Sequence, residues 1–186
     1  AKYLLIALED GLTWLVHLGM TGRFGHRLEG KHDHVVVDFV DGTRLVYTDP
    51  RRFGVMDLIR SGESHKLLER LGPEPLGDNW SGVQLHDSLQ NRNISIKSAL
   101  LNQHIVVGIG NIYASEALFL SKVKPQKISR KLSKKNCEDI VSSIKKVLKK
   151  AIKKGGSTIN DYINVDGKKG YFQYDFKVYG RTNLPC

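Results

Sequence analysis

The sequence has 186 residues, an apolar content of 40% and a formal net charge of +10, with an isoelectric point near 9.6. That length holds one ordinary domain or two small ones, and the apolar share suffices for a packed core. No apolar run approaches the ~20 residues a membrane helix needs, and residues 1–6 are too short for a signal peptide, so a soluble, cytoplasmic protein is expected. Only two cysteines occur, Cys137 and Cys186, and a disulfide framework is therefore not expected. The positive charge calls for a polyanionic partner or an anionic surface (DNA, RNA or lipid), unless it is simply a solvated lysine-rich face.

Residues 1–60 read as β-structure. Leu12, Trp14, Val16 and Leu18 alternate after an Asp10-Gly11 turn, and Val35, Val37 and Phe39 alternate ahead of Asp41-Gly42. Each Asp-Gly pair supplies the positive φ that a tight hairpin demands. The spacing predicts an antiparallel meander and not βαβ units. From Ser64 the pattern turns helical over 64–71, until Gly72-Pro73-Glu74-Pro75-Leu76-Gly77 interrupts it with two prolines that hold the chain extended. That stretch is the expected boundary: a β-domain over 1–72, a linker over 73–82, a helical domain over 83–170 and a tail over 171–186. Helices are predicted over 83–89, 96–103, 112–120 and 133–154. In the last, Ile140, Ile144, Val147, Leu148, Ala151 and Ile152 recur at helical spacing, and Lys145, Lys146, Lys149, Lys150, Lys153 and Lys154 cover the other sides. Those lysines are either solvated or set against phosphates. Gly155-Gly156 ends the helix, and 171–179 alternate again before Arg181 and Cys186.

Three motifs carry chemistry. Val107-Gly108-Ile109-Gly110-Asn111-Ile112-Tyr113-Ala114-Ser115-Glu116 is a glycine-rich turn opening into a helix, where free N–H groups and the helix dipole make an anion site. Asn111 is placed to cap that helix and to offer its amide to the same phosphate; the bare alternative is a cap that binds nothing. Tyr47-Thr48-Asp49-Pro50-Arg51-Arg52-Phe53-Gly54 puts two arginines and a phenyl ring at a turn after the second strand of a hairpin. That combination suits a reader of DNA that pushes an apolar wedge between base pairs, or else a surface ion pair beside a core Phe. In His17-Leu18-Gly19-Met20-Thr21-Gly22 a Met stands between glycines at a strand end, a second wedge or core filler.

With these motifs the sequence resembles the formamidopyrimidine-DNA glycosylases, in the family's order and over essentially the whole chain. Lys2-Tyr3-Leu4-Leu5, His17-Leu18-Gly19-Met20, Lys31-His32-Asp33-His34, the Thr48 to Gly54 run, Leu71 to Leu76, Ile96-Lys97, Val107 to Glu116, Gly155 to Thr158, Gly170-Tyr171-Phe172 and Val178 to Arg181 all look like family signatures. The resemblance implies an α+β chain: part of an antiparallel β-sandwich, then a helix-two-turns-helix domain and the start of a β-hairpin zinc finger. It implies a monomeric enzyme of base-excision repair that binds damaged double-stranded DNA and everts the target nucleotide. It would release 8-oxoguanine and formamidopyrimidines and cut the strand by β,δ-elimination.

The same resemblance assigns residues. Lys2 is the lysine that assists β-elimination, a task for a mobile ammonium. His32, Arg51 and Asn111 grip phosphates around the everted nucleotide, while Met20, Arg51 and Phe53 fill the gap it leaves. Lys97 stands where the family contacts DNA near the lesion, and Asn93 occupies a neighbouring position that is often basic in relatives. Gly155 to Gly170, with Ser157 and Thr158, is the loop expected to close over the everted base. Cys186 resembles the first of four ligands to one structural zinc, a closed site that needs every thiolate. The family's attacking amine belongs to a proline about fifty residues ahead of Lys2, and the sequence starts at Ala1. A fragment that grips DNA without cutting it is therefore a rival expectation. A further rival, an endonuclease VIII-like enzyme for oxidised pyrimidines, is disfavoured by the Met20, Arg51 and Phe53 set.

Overall fold

A computed structural model describes residues 2–60, 62–158 and 169–185. The chain is α+β and forms two compact units, one built from 2–65 with the described parts of 154–173, the other from 66–153 with the segment from Tyr174 onward.

The β unit contains β1 (Tyr3–Ala7), β2 (Leu12–His17), β3 (Arg23–Gly25), β4 (Asp33–Asp38), β5 (Arg44–Thr48) and β6 (Val55–Arg60). They make two antiparallel three-stranded sheets, ordered β1-β2-β6 and β3-β5-β4, the antiparallel β-sandwich layers that the resemblance implies. Both Asp-Gly turns form: Gly11 has φ 77° and Gly42 φ 82°, and the Asp10 and Asp41 carboxylates accept the N–H groups of Leu12 and Thr43 at 3.2 and 2.8 Å. Alternation puts Trp14, Val16 and Met56 on the face turned to the second sheet, where Val16, Phe24 and Tyr47 are buried together and Leu18, Val35 and Leu45 pack against them. The Phe24 ring lies 5.9 Å from Trp14 and 5.4 Å from Tyr47; burying each such side chain stabilises by about 2 kcal/mol.

The helical unit contains α1 (Gly82–Leu89), α2 (Ile96–Leu101), α3 (Asn111–Leu120) and α4 (Lys134–Lys153). Ser81 starts α1 with a capping box, its hydroxyl accepting from Gln84 N–H at 3.3 Å while the Gln84 side chain accepts from Ser81 N–H at 2.8 Å. Gly82 lets α1 approach α4 closely, since a Cβ there would lie 2.6 Å from Glu138 Cα. The core gathers Trp80, Leu85, Leu89, Ile96, Leu100 and Leu118 against the apolar stripe of α4, including Ile140 and Ile144. Among the α4 lysines, Lys145 donates to Gly77 O at 3.1 Å and Lys150 pairs with Asp175 at 3.1 Å, while Lys146, Lys149 and Lys153 are exposed. The Gly72 to Gly77 stretch belongs to this unit, with Gly72 N–H donating to Gln103 O at 2.8 Å and Val107 N–H to Pro73 O at 3.1 Å.

Two expected elements differ. Residues 66–70 form turns and not a helix, because Gly72 and Pro73 cut the segment short of the length that offsets helix nucleation. Residues 171–179 do not form a strand: Phe172–Asp175 is a 3-10 turn. Tyr171 and Phe172 give their N–H groups to Lys154 O and Gly156 O at 3.0 and 2.9 Å, so the helix-ending glycine turn takes the bonds a partner strand would have used.

Candidate nucleic-acid interface

The site in the β unit is built on Asp49. Its side chain is almost fully buried, 1% exposed, yet it accepts from Thr21 Oγ1 at 2.6 Å, Tyr47 OH at 3.1 Å and Gly54 N–H at 2.9 Å. Burial alone would raise its pKa; the hydrogen bonds from Thr21, Gly54, Tyr47 and Arg51 outweigh it and hold the carboxyl below its usual value. Burial, then the Asp49 charge, push the Tyr47 phenol up to about 12. One ionised carboxylate thus ties the loop after β2 to the loop after β5. The backbones touch as well: Gly19, at φ 67°, leaves only 2.6 Å between a Cβ and the Phe53 carbonyl carbon.

Those tied loops present Met20, Arg51 and Phe53. Met20 is 74% exposed and Phe53 54% exposed, both carried by loops that Asp49 fixes from beneath. The Arg51 guanidinium sits 4.7 Å from the Phe53 ring centroid and 3.6 Å from Met20 Sδ, so the cation is shared by an aromatic face and a polarizable sulfur. Met20, Arg51 and Phe53 are therefore one cluster, assembled from two segments about thirty residues apart. Arg52 adopts φ 56°, rare for a residue with a side chain.

His32 and Lys2 stand on the same framework. Asp49 N–H donates to His32 O at 2.9 Å, and His34 Nε2 bonds Asp49 O at 2.9 Å. Between them Asp33 accepts from Thr48 Oγ1 and from the Gly30 and Glu29 N–H groups, which lower its pKa. Lys2 precedes β1, whose Tyr3 pairs with His17 in register, the rings 4.9 Å apart. The Gly19 N–H donates to His17 Nδ1 at 3.1 Å, so the ring's own proton belongs on Nε2. Burial and the nearby Lys2 ammonium lower the His17 pKa, keeping it neutral. Lys2 is exposed over part of its surface, but burial of the remainder lowers its pKa too.

In the helical unit α3 opens at Gly110, whose N-cap position carries no side-chain cap bond. Asn111 is the first helical residue and not the cap, because Gly110 already holds the extended conformation a cap needs; its side chain is exposed. No acidic side chain stands in the first turn of α3 to neutralise the dipole. Asn93 is exposed between α1 and α2. Lys97 lines a cleft with Ser115, Phe119 and Lys122, beside the second half of α3; Asn111 is not among the residues lining it. Ser157 and Thr158 stand at the base of their loop, and Thr158 is buried, accepting from Gly170 N–H at 2.8 Å and donating its own N–H to Gln173 at 3.1 Å. Most of that loop, 159–168, lies outside the described residues.

Two residues escaped sequence reasoning. Asp49, between a strand and Pro50, reads as an ordinary turn residue. Glu116, 3% exposed, accepts from the N–H groups of Lys177, Val178 and Tyr179 at 2.8, 3.0 and 2.8 Å; the only sequence signal is a carboxylate on the otherwise apolar face of α3. For zinc, Cys186 lies outside the described residues. Among the described residues no group of three or more His, Cys, Asp or Glu could hold a metal. Cys137 is buried, and burial raises its thiol to about 11, which withholds a thiolate. The described residues alone do not fit a zinc site.

Comparison with known proteins adds a second line of support. The formamidopyrimidine-DNA glycosylase N-terminal domain matches residues 1–56, and the formamidopyrimidine-DNA glycosylase H2TH domain matches 71–162. The formamidopyrimidine-DNA glycosylases of Cereibacter sphaeroides and Bdellovibrio bacteriovorus are 44% and 46% identical, over 100% of this chain and 71% and 70% of their own. Among solved structures, the MutM (Fpg) protein of Thermus thermophilus superposes with a TM-score of 0.92 at 39% identity, covering 100% of this chain and 70% of that one. A mutant Lactococcus lactis Fpg in complex with a Fapy-dG containing DNA gives 0.90 at 34%, with the same coverage. Both domains matching in order, with relatives this similar along the whole sequence, make the chain a member of the formamidopyrimidine-DNA glycosylase family.

Proposed function

We propose that this protein is a base-excision repair glycosylase that binds damaged double-stranded DNA, removes oxidised purines such as 8-oxoguanine and formamidopyrimidines, and acts as a β,δ-AP lyase. The observation that carries the reading is the exposed Met20, Arg51 and Phe53 cluster standing on the buried Asp49 carboxylate. An apolar and cationic tip fixed from below fills the gap left by an everted nucleotide, at a few kcal/mol of lost stacking. The Lactococcus lactis relatives were solved with Fapy-dG and abasic-site DNA, which supports the substrate class.

In the reaction so assigned, an amine attacks C1′, the oxidised base leaves, and the resulting imine acidifies the C2′ proton for elimination. The resemblance gives the attacking amine to an N-terminal proline and gives Lys2 the proton transfer. A lowered Lys2 pKa suits that role, because it brings the ammonium closer to the working pH. His32, Arg51 and Asn111 take the phosphates, Asn111 from the N-terminus of α3, where the helix dipole favours an anion. Asn93 and Lys97 add contacts to the flanking strand, and Ser157 and Thr158 anchor the loop over the base. The expected zinc, with Cys186 as one ligand, would stiffen the hairpin that follows.

The test is binding followed by borohydride trapping, using one duplex with 8-oxoguanine opposite cytosine and its undamaged twin. Tighter, salt-sensitive binding of the lesion duplex and a covalent adduct are expected. Equal affinity for both duplexes overturns lesion recognition. Preference without an adduct leaves the DNA-gripping module as the correct reading.

A further inference from the structure

The cleft that Lys97 lines has an apolar wall that phosphate contacts do not need. Its volume is about 530 Å³, and Leu118, Phe119, Val123, Pro125, Val178 and Tyr179 make most of its wall, a size and character typical of sites that take a bulky apolar group. The charged residues lining it are Lys97, Lys122 and Lys124, and no acidic residue lines it. One wall is held from behind: Glu116 fixes the backbone of Lys177, Val178 and Tyr179 through three hydrogen bonds, and the Tyr179 ring packs edge-on to Phe176 at 5.6 Å. The opposite wall ends where Lys122, at φ 55°, turns the chain out of α3 with its N–H on Phe119 O at 3.1 Å. The cleft is therefore formed without a ligand, and Phe119 stays 40% exposed at its edge.

We propose that this cleft docks an acidic segment of a partner protein, which inserts one bulky apolar side chain between Phe119, Val123 and Val178 and sets its carboxylates against Lys122 and Lys124, leaving Lys97 at the rim to the DNA. Charge complementarity selects the acidic partner, and the apolar wall separates a peptide from duplex DNA. A duplex, its bases already stacked and paired, would satisfy the lysines with its backbone but has nothing to bury in the wall, whereas an aromatic or leucyl side chain leaves water there. The lysine rim would speed encounter and make binding salt-sensitive.

Fluorescence anisotropy with the full chain tests this, using labelled short peptides that combine a run of aspartates with one Phe, Trp or Leu. Controls replace the aspartates by asparagine or the apolar residue by serine. At least one acidic, apolar peptide should saturate the protein, with about tenfold weaker binding for either control and for the Lys122→Glu/Lys124→Glu variant. That variant should bind lesion duplex as the parent does, and excess duplex should leave the peptide bound. The proposal is overturned when no peptide of the set saturates, or when the variant binds it as tightly as the parent. It is equally overturned when duplex displaces the peptide and the variant loses duplex affinity, for the cleft is then a nucleic-acid surface.

Discussion

Both units hide a carboxylate, and they use it differently. In the β unit Asp49 collects a hydroxyl and a backbone N–H from two loops and a phenol from β5, and what those loops present is exposed: Met20, Arg51 and Phe53. In the helical unit Glu116 collects three consecutive backbone N–H groups, and what it holds is a stretch of chain beside a deep core of Trp80, Leu85, Leu100, Ile140 and Ile144. A sheet layer whose core centres on Val16, Phe24 and Tyr47 cannot fix surface loops by apolar packing alone. The ionised hub does it instead. The helical unit already has its packing, and uses the hub to attach a segment that leaves the core.

The largest effect is expected for Asp49→Ala, which strands the Gly54 N–H and leaves the Tyr47 hydroxyl only its 3.4 Å bond to Leu18 O; a loss of about 3 kcal/mol in urea unfolding checks it. Because the folded pKa of Asp49 lies below its ordinary value, its contribution is complete above the unfolded pKa near 4 and is lost as pH falls through the lower folded pKa. The parent's acid transition should therefore flatten in the variant. Glu116→Ala should come next, at about 2 kcal/mol. Amide exchange reads it selectively: Lys177, Val178 and Tyr179 lose protection while the β unit keeps its own. A uniform loss across both units would break the comparison, since it would make Glu116 a global core residue.

Gly19→Ala probes the joint between the loops of the β unit. A left-handed φ and a Cβ 2.6 Å from the Phe53 backbone should cost about 1 to 2 kcal/mol and shift Phe53. Smallest in stability is Phe53→Ala, within about 0.5 kcal/mol because the ring is largely exposed. Lesion-duplex affinity should nevertheless fall clearly. The divergence of those two readouts separates a presented residue from one that presents it.

Much of this was legible in the sequence, for identifiable reasons. Strand alternation at Leu12 to Val16, the two Asp-Gly turns and the α4 stripe are local patterns, and each forms as expected. Met20, and Arg51 with Phe53, were each legible as wedge candidates from their own motifs, but their grouping came only through family resemblance, because it depends on Asp49 reaching Thr21, twenty-eight residues away. Residues 171–179 misled because alternation says nothing about which partner is available, and the Gly155-Gly156 turn took the bonds. Asn111 misled by one residue: the glycine before it holds the cap conformation without using a side chain.

The central claim is that Met20, Arg51 and Phe53 form a wedge whose posture Asp49 sets. Its most direct test is the fluorescence of 2-aminopurine placed beside the lesion in duplex DNA, read on binding of the parent, Phe53→Ala and Asp49→Asn. A strong rise for the parent, with both variants blunted at saturating protein, is the predicted result. An undiminished rise with Phe53→Ala would contradict it, because the neighbouring bases would then unstack without the wedge.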